Sequence, residues 1–264
     1  MPTHPWIRIL RPTRKSRLRL ICLPHAGAGA SIFYPWAEPL RVAEIELRAV
    51  QYPGREDRIG EKPLGAWKEM VSAMADAWPA LSSGEDTALF GHSLGAILAF
   101  ELALELRQRE RAGNLVHVIV SGRNPPHLPK TVPPVHALSE ERFLAEFTAR
   151  YRAGFPTELL ADRDFMALVS PILRADCRVV ETYSWSPRPA LTLPLTVFGG
   201  VEDPWTTPRA LSEWRGYTTG CFSLQLFAGD HYFHQSAGTR DQVIAGVCDA
   251  LTGKSALEQA LSFA

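Results

Sequence analysis

At 264 residues, 46% apolar and 21% charged, the chain has the make-up of one ordinary globular domain with room for a sizeable core. Its 28 basic and 28 acidic residues cancel, which removes any whole-chain electrostatic case for nucleic acid or a membrane surface as partner. No apolar stretch approaches membrane-spanning length, and the four scattered cysteines (Cys22, Cys177, Cys221, Cys248) form no Cys-x-x-Cys that would suggest a zinc site or a dithiol pair.

Six basic residues (Arg8, Arg11, Arg14, Lys15, Arg17, Arg19) precede the first acidic one and mimic a targeting segment. The apolar run that follows, Leu20-Ile21-Cys22-Leu23, is too short for a signal-peptide core and stops at Pro24-His25. It reads instead as a strand entering a buried sheet, with residues 6–10 as an edge strand before it. Cys22 and Cys221 sit in such apolar runs and read as reduced core residues, in keeping with the cytoplasm.

Pro24-His25-Ala26-Gly27-Ala28-Gly29-Ala30 is a small-residue loop. It has neither the Walker lysine nor Gly-x-Gly-x-x-Gly spacing, so it is no nucleotide cradle, and its better use is to offer a backbone N–H to a reacting group. Residues 31–40 read as a helix and 44–50 as a strand ending in Gln51-Tyr52-Pro53-Gly54-Arg55-Glu56-Asp57-Arg58. Residues 64–81 read as one amphipathic helix with Trp67, Val71, Met74 and Trp78 on its apolar face.

The chain is organised around Thr87-Ala88-Leu89-Phe90-Gly91-His92-Ser93-Leu94-Gly95-Ala96. A short apolar strand, a Gly-x-Ser-x-Gly turn and a strong helix former over 96–106 fit a nucleophile elbow, which lifts a serine hydroxyl clear of a sheet. Residues 115–120 read as a buried strand in which His117 is a packed core residue. Regularity then breaks over residues 123–190. A proline-rich run at 124–134 leads to helical pieces at 139–151, 162–169 and 171–183, too long for a connection and in keeping with a lid. Strands at 195–198 and 222–227 and helices at 208–214 and 239–251 complete the alternation. The expectation is an α/β-hydrolase-type, mostly parallel doubly wound sheet, a single domain over residues 1–264 with a helical lid insertion at about 123–190.

In such sheets the chemistry sits at the carboxyl ends of the strands. The polar residues there come in the order Ser93, Asp203, His231, the α/β-hydrolase order. The imidazole removes the serine proton, and the carboxylate holds the imidazole in the needed tautomer and stabilises its charged form. Glu202 competes with Asp203, which the Asp-Pro step favours. His234 competes with His231, which lies nearer the strand end. His25 and His92 border the site as structural or polar lining. Two backbone N–H groups should form an oxyanion hole: Leu94, after the nucleophile, and one from the 24–29 loop, with Ala26 named and its neighbours as alternatives.

Here the sequence resembles the stand-alone type II thioesterases that accompany nonribosomal peptide and polyketide synthases, from residue 20 to about 250. The resemblance is carried by Leu23-Pro24-His25-Ala26-Gly27, Tyr52-Pro53-Gly54-Arg55-Glu56, Gly91-His92-Ser93-Leu94-Gly95, Ser121-Gly122-Arg123, Leu173-Arg174-Ala175-Asp176, Glu181-Thr182-Tyr183, Gly199-Gly200 with Asp203, and Gly229-Asp230-His231. The Tyr-Pro-Gly-Arg-Glu piece discriminates best, because general esterases lack it. Departures are Gly27-Ala28-Gly29 in place of Gly-Gly followed by a small residue, and Tyr232 where phenylalanine is common; neither touches the triad. The resemblance implies Ser93, Asp203 and His231 as triad and Ala26 and Leu94 as oxyanion hole. It implies hydrolysis of acyl groups from the phosphopantetheine thiol of acyl or peptidyl carrier proteins, with no metal or cofactor of its own. A monomer is expected.

Three other readings stand beside this one: a medium-chain fatty acyl thioesterase, a small-molecule carboxylesterase, and a hydrolase fold kept as a non-catalytic binding protein. Carrier proteins are typically acidic, so the basic cluster at residues 8–19 is one candidate docking surface, although a solvated flank of an edge strand is the simpler reading.

Overall fold

The computed structural model describes residues 4–12, 16–151 and 157–253. Strand β1 (Ile7–Ile9) pairs antiparallel with β3 (Ile45–Val50), which lies parallel to β2 (Leu18–Leu23). With β4 (Thr87–His92), β5 (Leu115–Ser121), β6 (Leu195–Gly200) and β7 (Phe222–Phe227) they form a seven-stranded sheet in the order β1-β3-β2-β4-β5-β6-β7, parallel apart from β1. β3, β4 and β6 are buried along their whole length, as strands covered on both faces must be.

Two cores explain that burial. On one face pack α2 (Trp67–Asp76), α3 (Trp78–Ser82) and α4 (Leu94–Gln108), with Met74, Trp78, Leu98 and Leu102 fully covered. On the other pack α1 (Tyr34–Val42) and, after a short α8 (Pro208–Ser212), α9 (Ala237–Thr252), with Phe33, Trp36, Phe90 and Val243. A third, smaller cluster belongs to the insert: Val135, Phe143, Phe147, Met166, Leu173 and Cys177 join α5 (Glu140–Tyr151) to α7 (Arg163–Thr182).

Several expectations need correction. The helix expected over 64–81 starts at Trp67 and breaks at Ala77 into α2 and α3. Pro79 is the reason: its ring has no N–H to give and would clash with a carbonyl one turn back, so the chain restarts with the proline in a first turn. The opposite happens at Pro171, where two helices were expected and α7 runs through. One hydrogen bond is forgone there, but Met166, Ser170, Leu173, Asp176 and Cys177 keep one face of α7 buried on both sides of the proline. A short helix α6 (Thr157–Ala161) precedes it, and Asp162 caps α7 by accepting the amides of Asp164 and Phe165 at 3.0 Å each. Cys221, expected in the core, is exposed just before edge strand β7, whereas Cys22 is buried.

Candidate active site

The elbow is a steric construction. A Cβ at Gly91 would fall 2.0 Å from the Gly95 carbonyl oxygen, and one at Gly95 would fall 2.1 Å from the Leu23 carbonyl oxygen. Without side chains there, α4 comes down directly on β4 and β2. Ser93 between them takes φ 54° and ψ −108°, a conformation that few non-glycine residues hold and that marks functional turns. Its amide donates to the Ser121 carbonyl at 2.9 Å, which ties the turn to β5. The helix begins at Leu94, two residues earlier than expected. The positive end of its dipole therefore lies at Ser93.

Gly200 ends β6 where a Cβ would meet the Asp230 carbonyl oxygen at 2.5 Å. This close approach lets the loops after β6 and β7 touch. Asp203 Oδ2 accepts His231 Nδ1 at 2.8 Å and the Thr206 hydroxyl at 2.8 Å, and Oδ1 accepts the Trp205 amide at 2.9 Å. Burial pushes the Asp203 carboxyl up, but the His231 hydrogen bond and charge, the Trp205 amide and the Thr206 hydroxyl outweigh it and hold the pKa below the usual carboxylate value. An ionised Asp203 fixes the proton of His231 on Nδ1 and leaves the Nε2 lone pair for chemistry. The edge of Trp205 meets the His231 ring at 4.5 Å between centroids.

Three further histidines pack beside this one. His92 stacks on His234 at 3.8 Å and bonds Ser121 Oγ through Nδ1 at 2.9 Å. His25 donates from Nδ1 to the Ala26 carbonyl at 2.9 Å and accepts the Gln235 amide on Nε2 at 2.8 Å. Burial drives the pKa of His92 and His234 well down and that of His25 to about 4. All three are thus neutral at physiological pH, so none opposes a positive charge forming on His231.

Ser93, His231, Ala26, Trp205 and Tyr232 share the wall of a chamber of about 160 Å³. The insert forms much of the rest, with Phe147 and Tyr151 from α5 and Cys177 and Val180 from α7. Arg123 reaches the same wall, and its guanidinium has no hydrogen-bond partner among the described residues. The Ala26 and Leu94 amides likewise bond no other described group. Of the rival residues, Glu202 is exposed, and His234 is buried with neither ring nitrogen bonded. Among the described residues no group of three or more His, Cys, Asp or Glu could hold a metal, and no helix is long and apolar enough to cross a membrane.

The model of the thioesterase domain family matches residues 18–251. The chain belongs to the thioesterase family. It is 38% identical over 230 residues to the gramicidin S biosynthesis protein GrsT of Aneurinibacillus migulanus, covering 87% of this chain and 88% of that one. Identity to the thioesterase PikA5 of Streptomyces venezuelae is 39% over 229 residues, covering 86% and 79%. Among solved structures, the type II thioesterase BorB from the borrelidin biosynthetic cluster superposes with a TM-score of 0.82 at 35% identity, over 95% of this chain and 99% of that one. The fold of this thioesterase is that of the α/β-hydrolases, and the enzyme is a hydrolase.

Two features of the thioesterase lay beyond sequence reasoning. Asp176 stood in a quoted motif without a role; it is fully buried and paired with Arg55, 121 residues away. The basic cluster did not reveal that three of its charges are paired. Arg8 pairs with Asp57, Arg17 with Glu44 at 2.5 Å and Arg19 with Glu46 at 3.0 Å. Arg17 and Arg19 also lie at the amino end of β2, the far end of the parallel strands from Ser93. Arg14 and Lys15 lie outside the described residues.

Proposed function

We propose that this thioesterase clears stalled or aberrant acyl groups from the phosphopantetheine thiol of acyl or peptidyl carrier protein domains in peptide or polyketide synthesis. Ser93 Oγ attacks the thioester carbonyl while His231 Nε2 takes its proton. The carbonyl oxygen, now an oxyanion, is held by the Ala26 and Leu94 amides at the positive end of α4. The C–S bond breaks and His231 returns the proton to the carrier thiol. Water, activated by the same imidazole, then cleaves the acyl-serine to a free acid. Asp203 keeps His231 in the working tautomer throughout. Among the described residues the Ser93 hydroxyl makes no side-chain hydrogen bond; such contacts tighten once substrate excludes water.

The chamber carries this reading. A cavity of about 150 Å³ takes a molecule the size of benzene, so about 160 Å³ beside Ser93 suits acyl groups of a few carbons. That size favours editing of short acyl groups over release of a medium-length fatty chain. In this reading the chain works as one domain, with residues 123–190 as a lid over a slender phosphopantetheine arm. The enzyme brings no cofactor of its own, since the pantetheine arrives on the partner, and it acts as a monomer in the cytoplasm beside the synthase.

The test is kcat/KM for acetyl, propionyl, butyryl, octanoyl and a full-length intermediate on one carrier protein. Short groups should be hydrolysed within about tenfold of one another, because a methylene is worth only about 1–3 kcal/mol. A preference of several hundredfold for the octanoyl or full-length group would overturn the editing role. Absence of Ser93 labelling by a serine-directed phosphonate would overturn catalysis itself.

A further inference from the structure

The segment Gln51-Tyr52-Pro53-Gly54-Arg55-Glu56 lies off the chamber wall, and the chemistry above does not use it. Its side chains grip residues 24–31 along their length. The Tyr52 hydroxyl donates to the Pro24 carbonyl at 3.2 Å, and Gln51 Oε1 accepts the Ala30 amide at 2.9 Å. Glu56 Oε1 accepts the amide and hydroxyl of Ser31 at 3.1 and 2.6 Å, and Arg55 Nη1 donates to the Ala28 carbonyl at 3.1 Å. One more hold comes from the insert. Asp176 on α7 accepts the Gly27 amide on Oδ2 at 2.7 Å. The same carboxylate takes Arg55 in a two-pronged ion pair, at 2.8 and 2.9 Å.

Around Ala26 the backbone groups are allotted one by one. The Ala28 amide goes to the His25 carbonyl at 3.1 Å. The peptide joining Ala26 to Gly27 is held at both ends, its N–H by Asp176 and its C=O by His25. Gly27 turns the chain there with φ 80°. The Ala26 N–H, one peptide earlier and on the chamber wall, is left over. We propose that Asp176, oriented by Arg55, is a positioning residue for the oxyanion hole: by fixing the Ala26–Gly27 peptide it aims the Ala26 amide at the thioester oxygen. This rests on the role proposed above for Ala26. A donor misplaced by about 1 Å, or lost, lowers the rate about 10²-fold or more.

A buried ion pair can also be no more than a staple between insert and body, and removing one partner destabilises strongly. The deciding variant is therefore the double Arg55→Met, Asp176→Leu, which leaves no unpaired charge; Asp176→Asn keeps an oxygen for the Gly27 amide. All are assayed on a small soluble acyl thioester, so that the outcome does not depend on the carrier being the true substrate. Two inhibitors separate the roles. A trifluoromethyl ketone analogue of the acyl group forms a tetrahedral oxyanion on Ser93, and a thioether analogue mimics the ground state. We expect the double variant to lose about 10²-fold in kcat with KM within about threefold. Affinity for the trifluoromethyl ketone should fall in parallel while the thioether binds as before, and Asp176→Asn should lose tenfold or less. A folded double variant with kcat within threefold of the parent would overturn the proposal. So would equal losses for the two inhibitors.

Discussion

The elbow and the insert are built by different means. At the elbow, backbone packs on backbone: Gly91 and Gly95 leave no room for even one carbon, and the turn can take only one shape. In the insert, side chains do the joining: a small apolar cluster holds α5 to α7, and the Arg55–Asp176 pair and the Glu101–Arg188 pair at 2.6 Å tie the insert to the body. The first kind of structure holds a reacting atom in place. The second walls much of the chamber beside it.

The comparison breaks most sharply at Gly95. Gly95→Ala puts a Cβ against the Leu23 backbone, and we expect little or no soluble, folded protein. Gly238→Ala, in open space at the start of α9, should leave thermal stability unchanged or raise it by up to about 1 kcal/mol. Circular dichroism melts of the two variants check this directly. Next in size, Ser93→Ala should remove turnover down to the background left by binding and the oxyanion hole, and Asp203→Asn should lower kcat on the order of 10⁴-fold by supplying the wrong histidine tautomer. Near-normal activity in Asp203→Asn, with loss in Glu202→Gln, would reassign the acid.

The insert should respond in another currency. Phe147 is buried in the small cluster and also lines the chamber. Truncation of a buried phenylalanine costs about 3–5 kcal/mol, here borne by the insert. Phe147→Ala should raise kcat/KM for octanoyl over propionyl thioester about tenfold, since several methylenes gain room. Limited proteolysis should cut within residues 123–190 first and leave the sheet intact. Unchanged selectivity would mean that the chamber wall does not set chain length.

The smallest effect is on acid stability. Burial lowers the pKa of His117, whose Nε2 bonds Thr196 Oγ1 at 2.9 Å, to about 4, against 6.5 when unfolded. Between these values the unfolded chain binds the extra proton, so stability rises with pH through the window and is lost on acidification from about 6.5 towards 4. From pH 7 to pH 5 this single group removes about 2 kcal/mol. His117→Gln, which keeps a donor or acceptor for Thr196, should flatten the slope of melting temperature against pH between these values; an unchanged slope would assign the acid sensitivity elsewhere.

What could be read from the sequence follows the same division. The strands, the elbow and the order Ser93, Asp203, His231 were legible because each depends on neighbours within a few residues: apolar runs, paired glycines, an acid or imidazole just past a strand. Prolines were legible only in part. Pro79 restarts a helix and Pro171 is tolerated inside one, and the difference lies in what each helix buries, which no local pattern states. Cys221 was misplaced because β7 is an edge strand, and strand order is a property of the whole sheet. The partner of Asp176 was out of reach for the same reason.

Ser93 has one more consequence, and it concerns descent. Its φ of 54° and ψ of −108° impose a strain of about 1–3 kcal/mol on a residue with a side chain, and glycine would relieve most of it. Selection for stability alone would therefore favour glycine at this position, away from the only hydroxyl at the elbow. A lineage that no longer needed hydrolysis would gain stability by yielding. The Ser93 hydroxyl is therefore held at the elbow at a cost in stability.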